Sequence, residues 1–402
     1  MRDFTYLAPS RLIVGKEAEK QVGKWVKEYG GTKVMVHHDS AYLKESGFID
    51  KIIGYLKDAG LGVVELGGVV PNPRLSKIYE GIELARKEGV DFMLAVGGGS
   101  VIDSTKGIAM GIPYDGDVWD FYDADSNGVW KAVPQKSTPI GVILTIPASG
   151  SETSNSSVVN KEEENLKRFC DNDINRAKFV IENPEVTMSL PKTQTAYGIV
   201  DIMSHSFERY FTKDKGNELT DRLCEAIFKT CLSCARVLMD NPQDYDARAS
   251  IMVAGSFSHN GLTGMGRQDD WGMHFIEHEI SGEYDLTHGA GLAAVIPAWM
   301  RYVYKEDMSI FLKFATRVMG CNDDPEHPEV VINDGIDRLE SFFQSMGLKT
   351  HLCENETMPD EIPEDVMWKM AKRVRVNNDV GTIGWYKKLS HEDIVNIIKM
   401  AQ

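Results

Sequence analysis

Cysteine is scarce in this chain: six residues in 402, at Cys170, Cys224, Cys231, Cys234, Cys321 and Cys353. So few thiols, scattered over so long a sequence, exclude the small secreted scaffold that is stapled by disulfides in place of a large core. Cys231-x-x-Cys234 has the spacing of a redox or zinc pair. It lies in a helical stretch with no second pair and no βαβ context, so the two read as packing cysteines. Positive charge is also short, with 44 Lys and Arg against 60 Asp and Glu and a formal net charge of -16. No Lys/Arg block interrupts that excess and a polyanion would be repelled, which excludes nucleic acid as the partner. Long apolar runs are missing too: Ile140 to Ile146 is typical of the longest, far below the about 20 residues that cross a bilayer. The opening MRDFTYLAPSRL carries Asp3 and no apolar h-region, so no membrane partner is expected and the expected location is the cytoplasm.

What is present is an ordinary globular composition, 42% hydrophobic and 26% charged, in a chain long enough for two domains. The first half alternates short β-rich runs with helical segments such as Arg74 to Glu88. The runs are Lys33–Val36, Gly62–Leu66, Phe92–Val96, Ile140–Thr145 and Ala177–Ile181. Apolar runs separated by helices predict a mostly parallel sheet covered on both faces, an α/β nucleotide-binding architecture. After Asn183–Pro191 nearly every segment has helical spacing, which predicts an α/β domain over 1–190, an all-helical domain over 191–402 and a hinge near Leu190–Thr193. The acidic patch Lys161–Glu164 reads as a solvated turn between strands.

Two loops carry the first chemical signal. Val90–Val96 runs into Gly97-Gly-Gly-Ser100, after which helical spacing resumes through Asp103 and Lys106. A strand, a loop without side chains and a helix start let backbone N–H groups approach a diphosphate. Neither the G-x-G-x-x-G pattern nor the lysine-ended phosphate loop is satisfied, and a turn serving only chain reversal is the competing reading. Thr145-Ile-Pro-Ala-Ser149-Gly-Ser-Glu152 is a second loop of hydroxyls and small residues, at the carboxyl end of another strand where open α/β sheets bind ligands. Asp39, placed a few residues beyond the Val34–Val36 run, could take ribose hydroxyls or be a solvated loop acid.

The second signal is a set of histidines. Asp201 and His205 stand four apart on a helical segment and share a face, the spacing of a metal pair or of a simple hydrogen bond. His274-Phe-Ile-Glu277-His278 is an H-x-x-E-H string of the kind found in zinc peptidases, with both histidines on the metal and Glu277 as base. That reading leaves the glycine loop and the Asp201/His205 pair without a task. A site of Asp201, His205, His274 and His288, with His278 one turn from His274 in a supporting position, accounts for more of the sequence.

Gly97-Gly-Gly-Ser-Val-Ile-Asp103-Ser-Thr-Lys106, Thr145–Glu152, Asp201-x-x-x-His205 and the run from Gly266 through Trp271, His274, His278 and His288 to Leu292 together resemble the iron-containing (group III) alcohol dehydrogenases, butanol dehydrogenase branch. The resemblance covers essentially the whole chain, down to Ile383–Leu389. It implies a dehydroquinate synthase-like fold, with a Rossmann-like dinucleotide-binding domain, a helical metal-binding domain and the active site between them. It also implies a homodimer acting on a small alcohol or aldehyde. Carried over by motif, Asp201, His205, His274 and His288 bind Fe2+, with Zn2+ as the second choice. Gly98, Gly99 and Ser100 match the pyrophosphate loop, and Asp103, Thr145, Ser149 and Lys167 match cofactor-contacting positions. Asn72 matches a motif near the adenosine side, and His278 matches a histidine near the nicotinamide, where it could relay a proton. Glu277 becomes a structural carboxylate. Ser149 replaces the usual Thr but keeps the hydroxyl. His37-His-Asp39-Ser40 replaces the glycine run of NADP-linked relatives, which favours NAD(H) over NADP(H). A zinc peptidase and a non-catalytic nucleotide-binding module are the alternatives.

Overall fold

A computed structural model describes residues 1–39, 42–124, 129–374 and 382–402. Its main sheet has six parallel strands: β1 (Arg11–Val14), β2 (Lys33–Asp39), β3 (Gly62–Val69), β4 (Phe92–Gly97), β5 (Ile140–Leu144) and β8 (Phe179–Glu182), in the order β1-β8-β5-β4-β2-β3. Between β5 and β8 the chain forms a separate antiparallel hairpin, β6 (Ser156–Lys161) and β7 (Leu166–Asp171). Packed on the sheet are helices α1 (Val22–Glu28), α2 (Tyr42–Glu45), α3 (Phe48–Asp58), α4 (Leu75–Glu88) and α5 (Gly99–Gly111). The second half comprises α6 (Lys192–Tyr210), α7 (Glu218–Asp240), α8 (Tyr245–His259), α9 (Gly272–Tyr284), α10 (His288–Val303), α11 (Met308–Arg317), α12 (Pro328–Ser345), α13 (Glu364–Arg373) and α14 (His391–Ala401).

The period of two along each strand supplies both cores. Val34 and Val36 of β2 and Phe92, Leu94 and Val96 of β4 face Val22, Trp25, Ile49, Ile52 and Leu56 on one side. Met35, Met93 and Ala95 face Leu75, Ile78, Ile82, Ile102 and Ile108 on the other. With both faces buried, β4 and β5 are apolar throughout, which is why they are visible as continuous runs. Four-residue β1 has only partial burial and closes one edge, and the polar β6–β7 hairpin has no apolar run to announce it. The acidic patch is that hairpin's turn, with Asn165 in the left-handed region at φ 52.

One expectation shifts. Asp39 ends β2 rather than following it, because β2 pairs with β3 as far as Asp39. Within that extension, buried His37 donates from Nδ1 to the Leu66 carbonyl and accepts from Ser104 at Nε2, at 2.8 and 2.9 Å. Pro184–Ser189 forms a 3-10 turn, and Pro191 caps the start of α6. α6 is buried on nearly all sides from Thr195 to Tyr210, and α7, α8, α9 and α10 pack around it. Among the described residues, no helix is long and apolar enough to cross a membrane.

Candidate active site between sheet and helices

A cavity of about 640 Å³ opens where the carboxyl ends of β2, β4 and β5 meet the hairpin and helices α6, α9 and α10. β2 and β4 are neighbours although β3 intervenes in sequence, so the cavity mouth includes the switch point where such sheets take ligands. One wall is the start of α5. Gly98 is its N-cap, extended at φ -95 and ψ -166, with no side-chain cap, so the first N–H groups of a thirteen-residue helix are left to a ligand. A Cβ at Gly99 would stand 2.4 Å from Ser149 Oγ, so the two loops touch with no space for a side chain.

The predicted cofactor residues fall into three groups. Gly98, Gly99, Ser100, Ser149 and Lys167 line the cavity. So does Asp39, whose Oδ1 is buried without a hydrogen-bond partner among the described residues and whose carboxyl is pushed up by burial. Asn72 and Asp103 also line it, but protein already engages them. Asn72, left-handed at φ 56, donates from Nδ2 to Asp285 at 3.1 Å. Asp103 accepts from Ser151 Oγ at 2.5 Å and from the Val158 N–H at 3.1 Å. Thr145 is buried behind the wall, its N–H on the Gly97 carbonyl at 3.0 Å, and is not among the lining residues.

Sequence reasoning missed the group that shapes this wall. Lys106 is fully buried, and its ammonium donates to Ser151 O (2.6 Å), Ser151 Oγ (3.0 Å), Ser154 O (3.2 Å), Ser154 Oγ (3.3 Å) and Ser156 O (2.6 Å). Burial pulls it down to about 8 even with Asp103 beside it. A lysine without a phosphate motif thus holds the second loop in shape.

At the inner end, α6, α9 and α10 bring four side chains together. One donor atom each from Asp201, His205 and His274 lies within 4.8 Å of the others. His288 Nε2 stands 3.7 Å from Asp201 Oδ1. Each histidine is held by Nδ1: His205 donates to the Asp201 carbonyl at 2.9 Å, His274 to Glu208 Oε1 at 2.8 Å, and His288 to Glu277 Oε2. A protonated Nδ1 leaves Nε2 with the lone pair, the tautomer a metal requires. Glu208 is seven residues beyond Asp201 on the same helix face and was legible from that spacing, although it was not singled out. Gly289 allows His288 its position, since a Cβ there would lie 2.6 Å from Tyr197 Cβ on α6.

Burial dominates the electrostatics. It raises Asp201 to about 6, opposed by nearby His288, and lowers His274 to about 3. Burial would raise Glu277 too, but His288 and Lys167 pull it down to about 2. Three imidazole nitrogens and a dry carboxylate, with no cation among them, form a donor set that fits Fe2+ or Zn2+.

Glu277 also accepts from Ser281 and faces Lys167 Nζ at 3.7 Å, with no solvent exposure. It supports His288 and is not free to activate a peptidase water. His278 lines the cavity, with its ring centroid 5.6 Å from that of His288, and makes no hydrogen bond among the described residues. Two further residues were given no role by the sequence. His259 lines the cavity with its ring centroid 4.2 Å from that of His205, and Trp271, left-handed at φ 65, caps α9 beside both.

A parallel sheet followed by helices, with a cleft at their junction lined by Asp201, His205, His274 and His288, defines a class, and comparison with known proteins gives its family. Residues 9–184 match the model of the iron-containing alcohol dehydrogenases, and residues 195–402 match the C-terminal model of the Fe-containing alcohol dehydrogenase family. The chain belongs to the iron-containing alcohol dehydrogenase family. It is 37% identical over 400 residues to NADH-dependent butanol dehydrogenase A of Clostridium acetobutylicum, covering 99% of each chain. It is 36% identical over 399 residues, again 99% of each, to a probable NADH-dependent butanol dehydrogenase 2 of Bacillus subtilis. The crystal structure of NADH-dependent butanol dehydrogenase A from Thermotoga maritima superposes with a TM-score of 0.92 at 33% identity, covering 100% of this chain and 99% of that one.

Proposed function

We propose that the protein is a metal-dependent alcohol dehydrogenase and aldehyde reductase that exchanges hydride between NAD(H) and a small primary alcohol or aldehyde such as butanol and butanal. The observation that carries this reading is the set of Nδ1-anchored histidines around Asp201, at the inner end of a cavity whose outer wall is an uncapped helix start. Fe2+ held by Asp201, His205, His274 and His288, with Zn2+ as the alternative, supplies Lewis-acid polarisation of the substrate oxygen.

The chain's own residues do the rest. The N–H groups at Gly98, Gly99 and Ser100 take the pyrophosphate, with Thr145 and Ser149 shaping the opposing loop. Asp39 takes the ribose hydroxyls and repels a 2′-phosphate, which favours NAD(H); the three relatives above, whose names specify NADH, support the same choice. Asp103 holds the second loop, Asn72 would border the adenosine side, and Lys167, 3.7 Å from Glu277, would contact the cofactor. In reduction, NADH, a proton and an aldehyde become NAD+ and an alcohol. His278, at the cavity surface one turn from His274, is placed to pass that proton.

The domain division at 190/191 then separates cofactor binding from metal binding. A cytoplasmic location is supported by the free state of all six cysteines. A homodimer is supported by exposed Phe4, Tyr6 and Leu7 on the arm leading into edge strand β1.

Mixing the protein with Fe2+, NADH or NADPH and butanal, and following the nicotinamide absorbance, tests the reading. Loss of NADH absorbance that requires the metal is expected. Metal-free protein of undiminished activity, cleavage of peptides without nucleotide, or nucleotide binding without any turnover would each overturn it.

A further inference from the structure

His38 has no task in the reaction as described, yet it is buried one residue before Asp39, at the end of β2. Its Nδ1 lies 2.7 Å from the Asp39 carbonyl oxygen, which can only accept, so the ring donates there. Its Nε2 lies 3.2 Å from Oε1 of Glu65 on β3, and Lys44 of α2 holds the same carboxylate at 2.9 Å. The seat for the ring is built into the neighbouring strand. From His37 to Asp39 the pairing moves from Leu66 to Val69, so β3 takes three residue steps against two in β2. The extra residue falls in Gly67-Gly68, with Gly68 left-handed at φ +96. A Cβ at Gly67 would stand 2.6 Å from His38 Cε1, so a side chain there would displace the ring.

A bulge interrupts the ladder and re-aims the residues beside it, and this one lies on edge strand β3 next to the point where Asp39 reaches the cavity. Asp39 resumes the pairing beyond it, opposite Val69. The position of its carboxylate therefore depends on what fixes the last residues of β2. Where the regular ladder fails, the His38 ring ties the Asp39 main chain to Glu65. We infer that His38 is a positioning residue for cofactor choice, holding Asp39 where its carboxylate meets the ribose hydroxyls and acting only through that acid. This inference rests on the NAD(H) reading of Asp39 and supplies the support that makes the acid selective.

The test compares NADH with NADPH. kcat/KM for each is measured in butanal reduction by the metal-loaded enzyme, and Kd for each by titration of the metal-free protein, where no turnover contributes. The wild type is expected to favour NADH. His38→Leu is expected to lower the NADH-to-NADPH preference about fivefold in both measurements, the size of one hydrogen bond, and mainly through KM. His38→Asn, whose amide nitrogen can stand at the Nδ1 position, should recover part of the preference. In an Asp39→Ala background His38→Leu should leave the preference unchanged, since it acts through Asp39, whereas general damage would weaken both nucleotides alike in either background. A preference unmoved by His38→Leu, or moved equally without Asp39, overturns the inference and leaves the NAD(H) reading standing. Should His38→Leu fail to fold, Glu65→Ala, which removes the other end of the tie, decides by the same criteria. A wild type without preference for NADH overturns the NAD(H) reading, and the inference with it.

Discussion

Glu208 holds His274 at two points, its Oε1 accepting from the backbone N–H at 2.9 Å and from Nδ1 at 2.8 Å. The carboxylate thereby ties α9 to α6 and presents His274 Nε2 to the cluster around Asp201. Replacing it should loosen the metal without touching a ligand. Glu208→Ala is expected to weaken metal affinity by about 10- to 100-fold, the usual cost of losing a partner behind a ligating histidine. Competition with a chelator measures it, and an unchanged affinity would show that His274 needs no such support.

Asp39 should decide the cofactor. Asp39 lines the cavity at the end of β2, and its negative charge would oppose a 2′-phosphate bound beside it. Asp39→Ala is expected to raise the kcat/KM ratio of NADPH over NADH by about tenfold or more, mainly by lowering KM for NADPH. Equal ratios in variant and wild type would place cofactor choice elsewhere.

Gly99 and Ser149 should behave as a coupled pair. A Cβ at Gly99 would lie 2.4 Å from Ser149 Oγ and 3.1 Å from its Cβ. Gly99→Ala alone is therefore expected to displace the loop and weaken NADH binding. Adding Ser149→Ala removes the nearer atom and should recover part of the loss, a non-additivity read by titrating NADH into the single and double variants. Strict additivity would mean that the loops do not touch.

Lys106 should be needed for folding more than for chemistry. Its ammonium neutralises the vicinity of Asp103 and satisfies three backbone carbonyls in the dry interior. Lys106→Met strands those oxygens and is expected to cost about 3 kcal/mol or more in denaturant unfolding. A loss below about 1 kcal/mol would indicate that water replaces the ammonium without strain.

Ser256 contacts two buried carboxyl groups, Glu152 at 2.8 Å and Glu182 at 2.7 Å. One hydroxyl proton cannot serve two carboxylates, so one of the acids donates its own. Burial, and then the charge of Glu152, push Glu182 up to about 8 from 4.5, which marks it as the protonated partner. The folded protein then keeps a proton that the unfolded chain releases above about pH 4.5. Stability from this group is full below that pH, falls as pH rises toward 8, and levels off beyond. Glu182→Gln should flatten that decline in a Tm series from about pH 5 to about pH 8.5. A parallel decline in the variant would assign it to other groups.

Strands β4 and β5, α4 and the Asp201/His205 pair were legible because each is a pattern within one element: a continuous apolar run, a period near 3.6, a spacing of four. The edge strand β1 was not, since it buries no full apolar face, and the hairpin showed only through its acidic turn at Lys161–Glu164. The H-x-x-E-H string was legible as a metal motif but ambiguous in its roles. Local spacing says only that His274, Glu277 and His278 lie near one another on a helix.

The sequence by itself determined which side chains share a face, because helix and strand geometry act over a few residues and leave their period in the order of apolar and polar positions. It also determined the order of an α/β half and a helical half, by the change from β-rich runs to helical spacing. Only the tertiary structure decided which face meets which. His288 lies beside Asp201, Glu277 backs His288, Lys106 anchors the second loop, and His259 stands between Ser149 and His205. Those juxtapositions depend on close packing of the whole core, where a missing Cβ at Gly289 brings α10 against α6. Apart from Glu277 and His288, which are eleven residues apart, no window of the chain short enough to read by periodicity contains both sides of such a contact.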